Sequence, residues 1–235
     1  MKTAVKPHLP AINRRGWLSA ACAAAVVGVS THSRAGSFED YFSAIKRNNL
    51  SGLLTLLLRG FDVNTSDEKG QHGLHVALLA DAKEVALYLA NLSSVQVDAH
   101  TPQDETPLMI AVLRGHLDVA KVLVARGADI NKPGWTPLHY AATHAGRNAV
   151  AQVELLLEHH AYIDAESPNG TTPLMMAAQY GDPGVLRLLL AEGADASLRN
   201  EKKLNALDFA MRASRPTSVE ILQAHLKETQ PKGQW

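Results

Sequence analysis

Three pentapeptides, Gly127-Ala-Asp-Ile-Asn131, His160-Ala-Tyr-Ile-Asp164 and Gly193-Ala-Asp-Ala-Ser197, recur at a fixed spacing of 33 residues. Two further copies lie upstream, Gly60-Phe-Asp-Val-Asn64 and Ser94-Val-Gln-Val-Asp98, the second 33 residues ahead of Gly127. A period of this length belongs to stacked supersecondary units, each too small to bury its own apolar face, so that the core forms between neighbours. The chain is therefore constrained to a solenoid, an architecture that offers surface before it offers a reaction site.

A second landmark gives each unit its internal structure. Thr106-Pro-Leu-Met109, Thr136-Pro-Leu-His139 and Thr172-Pro-Leu-Met175 have weaker copies at His72-Gly-Leu-His75 and Asn205-Ala-Leu-Asp208, with successive spacings of 34, 30, 36 and 33 residues. A threonine can cap an orphan helix N–H, and proline occupies the first helical position without losing a donor. Downstream, Val119 to Arg126 and Val185 to Glu192 carry apolar residues at helical spacing and then meet a glycine suited to a left-handed C-terminal cap. Each unit reads as helix, turn, helix and an extended excursion.

With these motifs in place, the chain resembles the ankyrin repeat over about residues 37 to 228, and most closely from Glu105 to Asn131. The resemblance implies an all-α solenoid of about six helix-turn-helix units with short, extended, hairpin-like connections. Helix pairs are expected near 38–59, 73–92, 107–126, 137–159, 173–192 and 206–226. The end units would be polar caps, in keeping with Glu39, Asp40, Lys46 and Arg47.

The fourth unit departs from the pattern. Its connection, Lys132-Pro-Gly-Trp135, is about three residues short, and the stretch Thr143 to Gln152 restores them between the two helices. His160 stands where glycine is usual, at a position whose left-handed conformation costs a residue with Cβ about 1–2 kcal/mol. A local adjustment of the preceding helix end is expected there.

At the N-terminus, Lys2, Lys6, Arg14 and Arg15 precede an apolar run from Leu18 to Val29 and then Ser33-Arg-Ala35, which reads as an export signal cleaved between Ala35 and Gly36. Asn13-Arg-Arg-Gly-Trp-Leu18 resembles a twin-arginine signal, and the sequence leaves the general and twin-arginine routes open. The division expected is a signal at 1–35, a repeat domain at 36–228 and a polar tail at 229–235, with the product in the periplasm and a secreted effector acting on a host-cell protein as the alternative. Residues 1–35 hold five Lys or Arg and no acid, so a chain beginning at Gly36 carries 18 basic against 23 acidic residues, a net of −5. That balance argues against nucleic acid or anionic membrane as the partner. It would also lack the single cysteine, Cys22, and with it any disulfide chemistry.

No nucleophile elbow, phosphate loop or zinc-protease motif is present. His139 and His144 are five residues apart, which misses the spacing of a helical metal pair, and His159 and His160 diverge from a helix end. His75 and His139 fall at the fourth place of the helix-opening motif, where the resemblance implies that the imidazole bridges backbone and hydroxyl groups. No enzyme activity, cofactor or metal is expected. The expectation is a monomer that binds another protein.

The resemblance also places recognition on the exposed side of the first helices and at the tips of the excursions. The helix positions are Lys46, Arg47, Leu79, Leu113, Arg114, Thr143, His144, Gln179, Tyr180 and Arg212. The tip positions are Gln71, Glu105, Trp135, Thr171 and Leu204. Trp135, Tyr180, Arg114 and Arg212 are residue types that dominate interface hot spots.

Overall fold

The computed structural model describes residues 31–229. The export segment expected before residue 31, with Cys22 and the arginine pair, and the tail from 230 to 235 lie outside the described residues. Among the described residues there are twelve helices and no strand: α1 Thr31–Lys46, α2 Leu50–Leu58, α3 Gly73–Leu79, α4 Lys83–Asn91, α5 Pro107–Arg114, α6 Leu117–Ala125, α7 Pro137–Thr143, α8 Ala149–Glu158, α9 Pro173–Tyr180, α10 Pro183–Ala191, α11 Ala206–Arg212 and α12 Pro216–Thr229. The six expected pairs are all present, and α1 contains the Ala35–Gly36 bond.

The helix starts follow from their local chemistry. Thr106, Thr136 and Thr172 each accept a hydrogen bond from the backbone N–H three residues on, with proline in the first helical turn. The residue at the fourth motif position returns the favour. The Met109 and Met175 sulfurs accept from the N–H of Thr106 and Thr172 at 3.4 and 3.5 Å, and His139 Nδ1 accepts from that of Thr136 at 3.2 Å. Both methionines are 1 % exposed, so the same side chains fill the core and close the capping boxes.

First helices pack on first helices and second on second: α5 on α7, α7 on α9 and α9 on α11 in one layer, α4 on α6 and α8 on α10 in the other. Leu74, Leu108, Leu138 and Leu174, one from each of four consecutive units, are 0–3 % exposed between the layers. Burying a leucine side chain contributes about 1.5–3 kcal/mol, so this column is the spine of the stack. Gly181 lets α9 approach its neighbour, since a Cβ there would collide with the Ala142 carbonyl oxygen.

The repeated pentapeptide owes its last residue to the next unit. Asn64, Asp98, Asn131 and Asp164 each accept, through Oδ1, the backbone N–H of Gln96, Asp129, Tyr162 and Asp195 at 2.9–3.1 Å. Asn64 and Asn131 also donate to the carbonyls of Ser94 and His160 at 2.7 and 2.9 Å. Where the pentapeptide lacks glycine, at Ser94, the end of α4 is satisfied from the following unit: the Arg126 guanidinium donates to the carbonyls of Ala90, Ser93 and Val95 at 2.7–3.3 Å.

Two sequence expectations are corrected. The end of α8 needs no adjustment, because His160 itself takes the left-handed conformation at φ 65°, as Gly60, Gly127 and Gly193 do in their units. Bonds from His160 N to Leu157 O and from Ala161 N to Leu156 O, both 2.9 Å, hold it there. Of the two motif histidines, only His139 makes the bridge. His75 is fully buried, and its Nδ1 has no partner because His72 stands where the threonine hydroxyl would be.

Candidate partner-binding groove

The groove is built at the fourth to sixth units, where the tips preceding α7, α9 and α11 overhang the exposed sides of those helices. In most tips a side chain at the first position accepts N–H groups of its own loop. Asp67 accepts from Gln71 N at 2.9 Å, Thr101 from Glu105 N at 3.2 Å, Ser167 from Thr171 N at 3.0 Å and Asn200 from Leu204 N at 3.1 Å.

The short tip inverts this polarity. Lys132, only 5 % exposed, donates from Nζ to the carbonyls of Pro133 and Trp135, each at 3.3 Å, and to Asp104 Oδ2 of the preceding tip at 2.6 Å. Asp104 also meets His100 Nδ1 at 2.6 Å, and the bonds from Lys132 and His100 hold its carboxyl below the usual range.

Trp135 is thereby fixed at the mouth of the groove. Its indole stands edge-on to the His139 ring, 5.2 Å between centroids. His139 Nε2 donates to the Thr171 carbonyl at 2.8 Å, which leaves Nδ1 to accept from the Thr136 hydroxyl at 2.9 Å. Burial lowers the His139 pKa, so the ring that supports Trp135 is neutral at physiological pH.

Two cavities adjoin across Trp135 and Met176. One, of about 240 Å³, is lined by Leu113, Tyr140 and Thr143 with His139 beneath. The other, of about 330 Å³, is lined by the expected Thr171, Gln179, Tyr180, Leu204 and Arg212, and by Asn169, Asn200, Lys202 and Phe209 as well. Thr171 is 3 % exposed, a floor residue whose carbonyl is taken by His139. Tyr180, at 51 %, is the most open aromatic of the cavity.

The other expected residues lie apart from this pair of cavities. Lys46 and Arg47 line a separate depression at the first unit with Phe38, Phe42 and Asp67. Gln71 and Leu79 are half-buried in the second unit, and Arg114 is exposed at the end of α5. Glu105 accepts the Tyr140 hydroxyl at 3.1 Å, and burial followed by that carboxylate raises the Tyr140 pKa. His144 packs against Gly115 and Gly146, where a side chain on either glycine would collide with its ring. It serves the longer α7–α8 connection, which Asn148 ties back through a 2.9 Å bond to the Gly115 carbonyl.

Asn169, Asn200, Lys202, Met176 and Phe209 escaped the sequence reading. The polar three sit within the tips, behind the positions that the repeat pattern marks as outermost, and they share one cavity because two successive tips stack, with Glu201 N donating to the Asn169 carbonyl at 3.0 Å. Among the described residues no cluster of three or more His, Cys, Asp or Glu is arranged to hold a metal, and no helix is long and apolar enough to cross a membrane.

Comparison with known proteins agrees with this architecture. A family model for ankyrin repeats matches three times, over residues 42–133, 96–167 and 145–232. The chain is 34 % identical over 155 residues to the nuclear factor NF-kappa-B p105 subunit of Gallus gallus, covering 63 % of this chain and 16 % of that protein. It is 28 % identical over 209 residues to the ankyrin repeat protein nuc-2 of Neurospora crassa, covering 73 % of this chain and 19 % of that one. The chain thus spans less than a fifth of the length of either relative. Among solved structures, it is similar to a chain in the complex of a predatory endopeptidase from Bdellovibrio bacteriovorus with an immunity protein, with a TM-score of 0.67 and 26 % identity over 79 % of this chain and 97 % of that chain.

Proposed function

The chain belongs to the ankyrin-repeat family of protein-interaction scaffolds, and we propose that it is a non-enzymatic, exported member that binds a periplasmic protein as an inhibitor, adaptor or protective partner. The observation that carries this reading is the paired cavity beside Trp135, in which three aromatic side chains, Trp135, Tyr180 and Phe209, share one concave surface with exposed polar groups. Aromatic and arginine side chains in a partly desolvated groove are where interface energy concentrates.

The solved complex of an endopeptidase with an immunity protein supports an endopeptidase as the first partner to test. Affinity capture with the chain from Gly36 onward, followed by Trp135→Ala and Tyr180→Ala, tests the face. Loss of a stoichiometric partner in either variant supports it, and undiminished capture in both would sink it.

Export rests on the basic and apolar pattern of the first 35 residues. Cell fractionation distinguishes the two destinations. Release with periplasmic contents fits the leading reading, and accumulation in the medium or in a host cell fits an effector.

A further inference from the structure

The two cavities differ in chemistry, and the difference specifies an occupant. The cavity beneath Leu113, Tyr140 and Met176 is apolar. The adjoining one is lined by two exposed cations, Lys202 and Arg212, neither in an ion pair among the described residues, and by no acid. Neighbouring carboxylates are engaged elsewhere: Asp208 meets Arg199 at 3.5 Å and the Asn205 N–H at 3.0 Å, and Glu105 holds the Tyr140 hydroxyl.

The neutral amides of this cavity point the same way chemically. Asn169 Oδ1 accepts from the Ser167 hydroxyl at 2.7 Å and from Thr171 N at 3.2 Å. Asn200 Oδ1 accepts from Lys202 N at 3.0 Å and Leu204 N at 3.1 Å. Both amides spend their acceptors inside their own tips, and each keeps an NH₂ for a ligand. Four side chains of one cavity thus offer donors, two of them charged, in a chain whose formal net charge is zero.

We propose that the groove recognises a through-running segment of a partner protein that carries an Asp or Glu close to a large apolar residue. The carboxylate sits with Lys202, Arg212 and the two asparagine amides, and the apolar side chain enters beside Leu113 and Tyr140, with Trp135 between. A side-chain carboxylate, rather than a chain terminus, fits because the groove continues past Trp135 into the second cavity instead of ending there. This inference rests on the groove reading above and narrows it to one partner chemistry.

The test is selection of a phage-displayed random dodecapeptide library on the intact chain. Selected peptides are then synthesised with amidated C-termini and titrated by fluorescence anisotropy. The expected result is enrichment of sequences with Asp or Glu within two positions of Phe, Tyr, Trp, Leu or Met. Binding should weaken at least tenfold when that acid becomes Gln, or in the double variant Lys202→Gln/Arg212→Gln, and should fall with added salt. Both cations are exposed, so circular dichroism and the melting temperature of the double variant should match the parent. Absence of enrichment, enrichment of sequences without an acid, loss of binding on amidation, or equal binding by the double variant would overturn the proposal. So would tighter binding of a single-stranded oligonucleotide than of any selected peptide. If Trp135→Ala abolishes partner capture while the double variant retains it, the groove reading stands and this inference alone fails.

Discussion

Lys132 Nζ lies 2.6 Å from Asp104 Oδ2, joining the tips of two successive repeats through the only lysine buried among the described residues. The shortened tip has lost the acceptor side chain that organises its neighbours, and the ammonium organises it from the opposite side by holding carbonyls. Lys132→Met keeps the apolar stem and removes the donor. Leaving half-buried carbonyls unpaired costs about 1–3 kcal/mol. Chemical denaturation should show a loss of that size, and Trp135 fluorescence should shift toward that of a solvated indole. Unchanged stability and emission would contradict the assigned role.

Gly73 stands where three other repeats have proline because Tyr41 occupies the space. A Cβ at Gly73 would collide with the Tyr41 hydroxyl, which itself donates to the Val63 carbonyl at 2.8 Å. Restoring the common motif with Gly73→Pro should therefore destabilise the second unit, although it matches its neighbours, by the roughly 1–3 kcal/mol typical of overpacking. In a Tyr41→Ala background the same change should lose most of its effect, which a double-mutant cycle measures.

His160→Gly relieves a left-handed residue with Cβ. The strain removed, about 1–2 kcal/mol, is at least as large as the added freedom of the unfolded chain, about 0.4–1 kcal/mol, so the variant should be more stable by up to about 1.6 kcal/mol. A lower melting temperature would show that the imidazole makes a stabilising contact.

Acid should weaken the stack before carboxylates titrate. The His75 pKa is lowered from 6.5 to about 4, by burial first and then by His72, and burial also leads the lowering at His116 and His139. A histidine with a folded pKa below its unfolded value binds its proton first in the unfolded state. Stability is therefore complete above about pH 6.5 and declines as pH falls toward 4. His75 alone corresponds to roughly 3 kcal/mol across that window at about 1.4 kcal/mol per pH unit. Denaturant midpoints at pH 7 and pH 5 should differ in this direction, and the difference should shrink in His75→Leu.

The helix-opening threonines, the prolines and the left-handed glycines were legible because each acts within a turn or two of its own position. Trp135, Tyr180 and Arg212 could be picked out from the same register, since the period says which side of a first helix looks outward. Lys202, Asn169 and Asn200 could not, because nothing in their immediate neighbours marks a tip residue as facing the next unit. Arg126 is a parallel case: its sequence context is that of an ordinary surface cation, and its role as a helix cap depends on carbonyls 31 to 36 residues earlier.

The 33-residue period by itself determined the class of fold, the number of units and the place where regularity breaks, since those depend on hydrophobic spacing and local capping that repeat along the chain. Only the tertiary structure decided why Gly73 cannot be proline, how Lys132 replaces a missing loop acceptor, and which polar side chains pool beside Trp135. Those outcomes turn on atoms brought together across repeat boundaries. There, packing volume and the pairing of buried polar groups select a residue's role, and neither is encoded in the residues next to it.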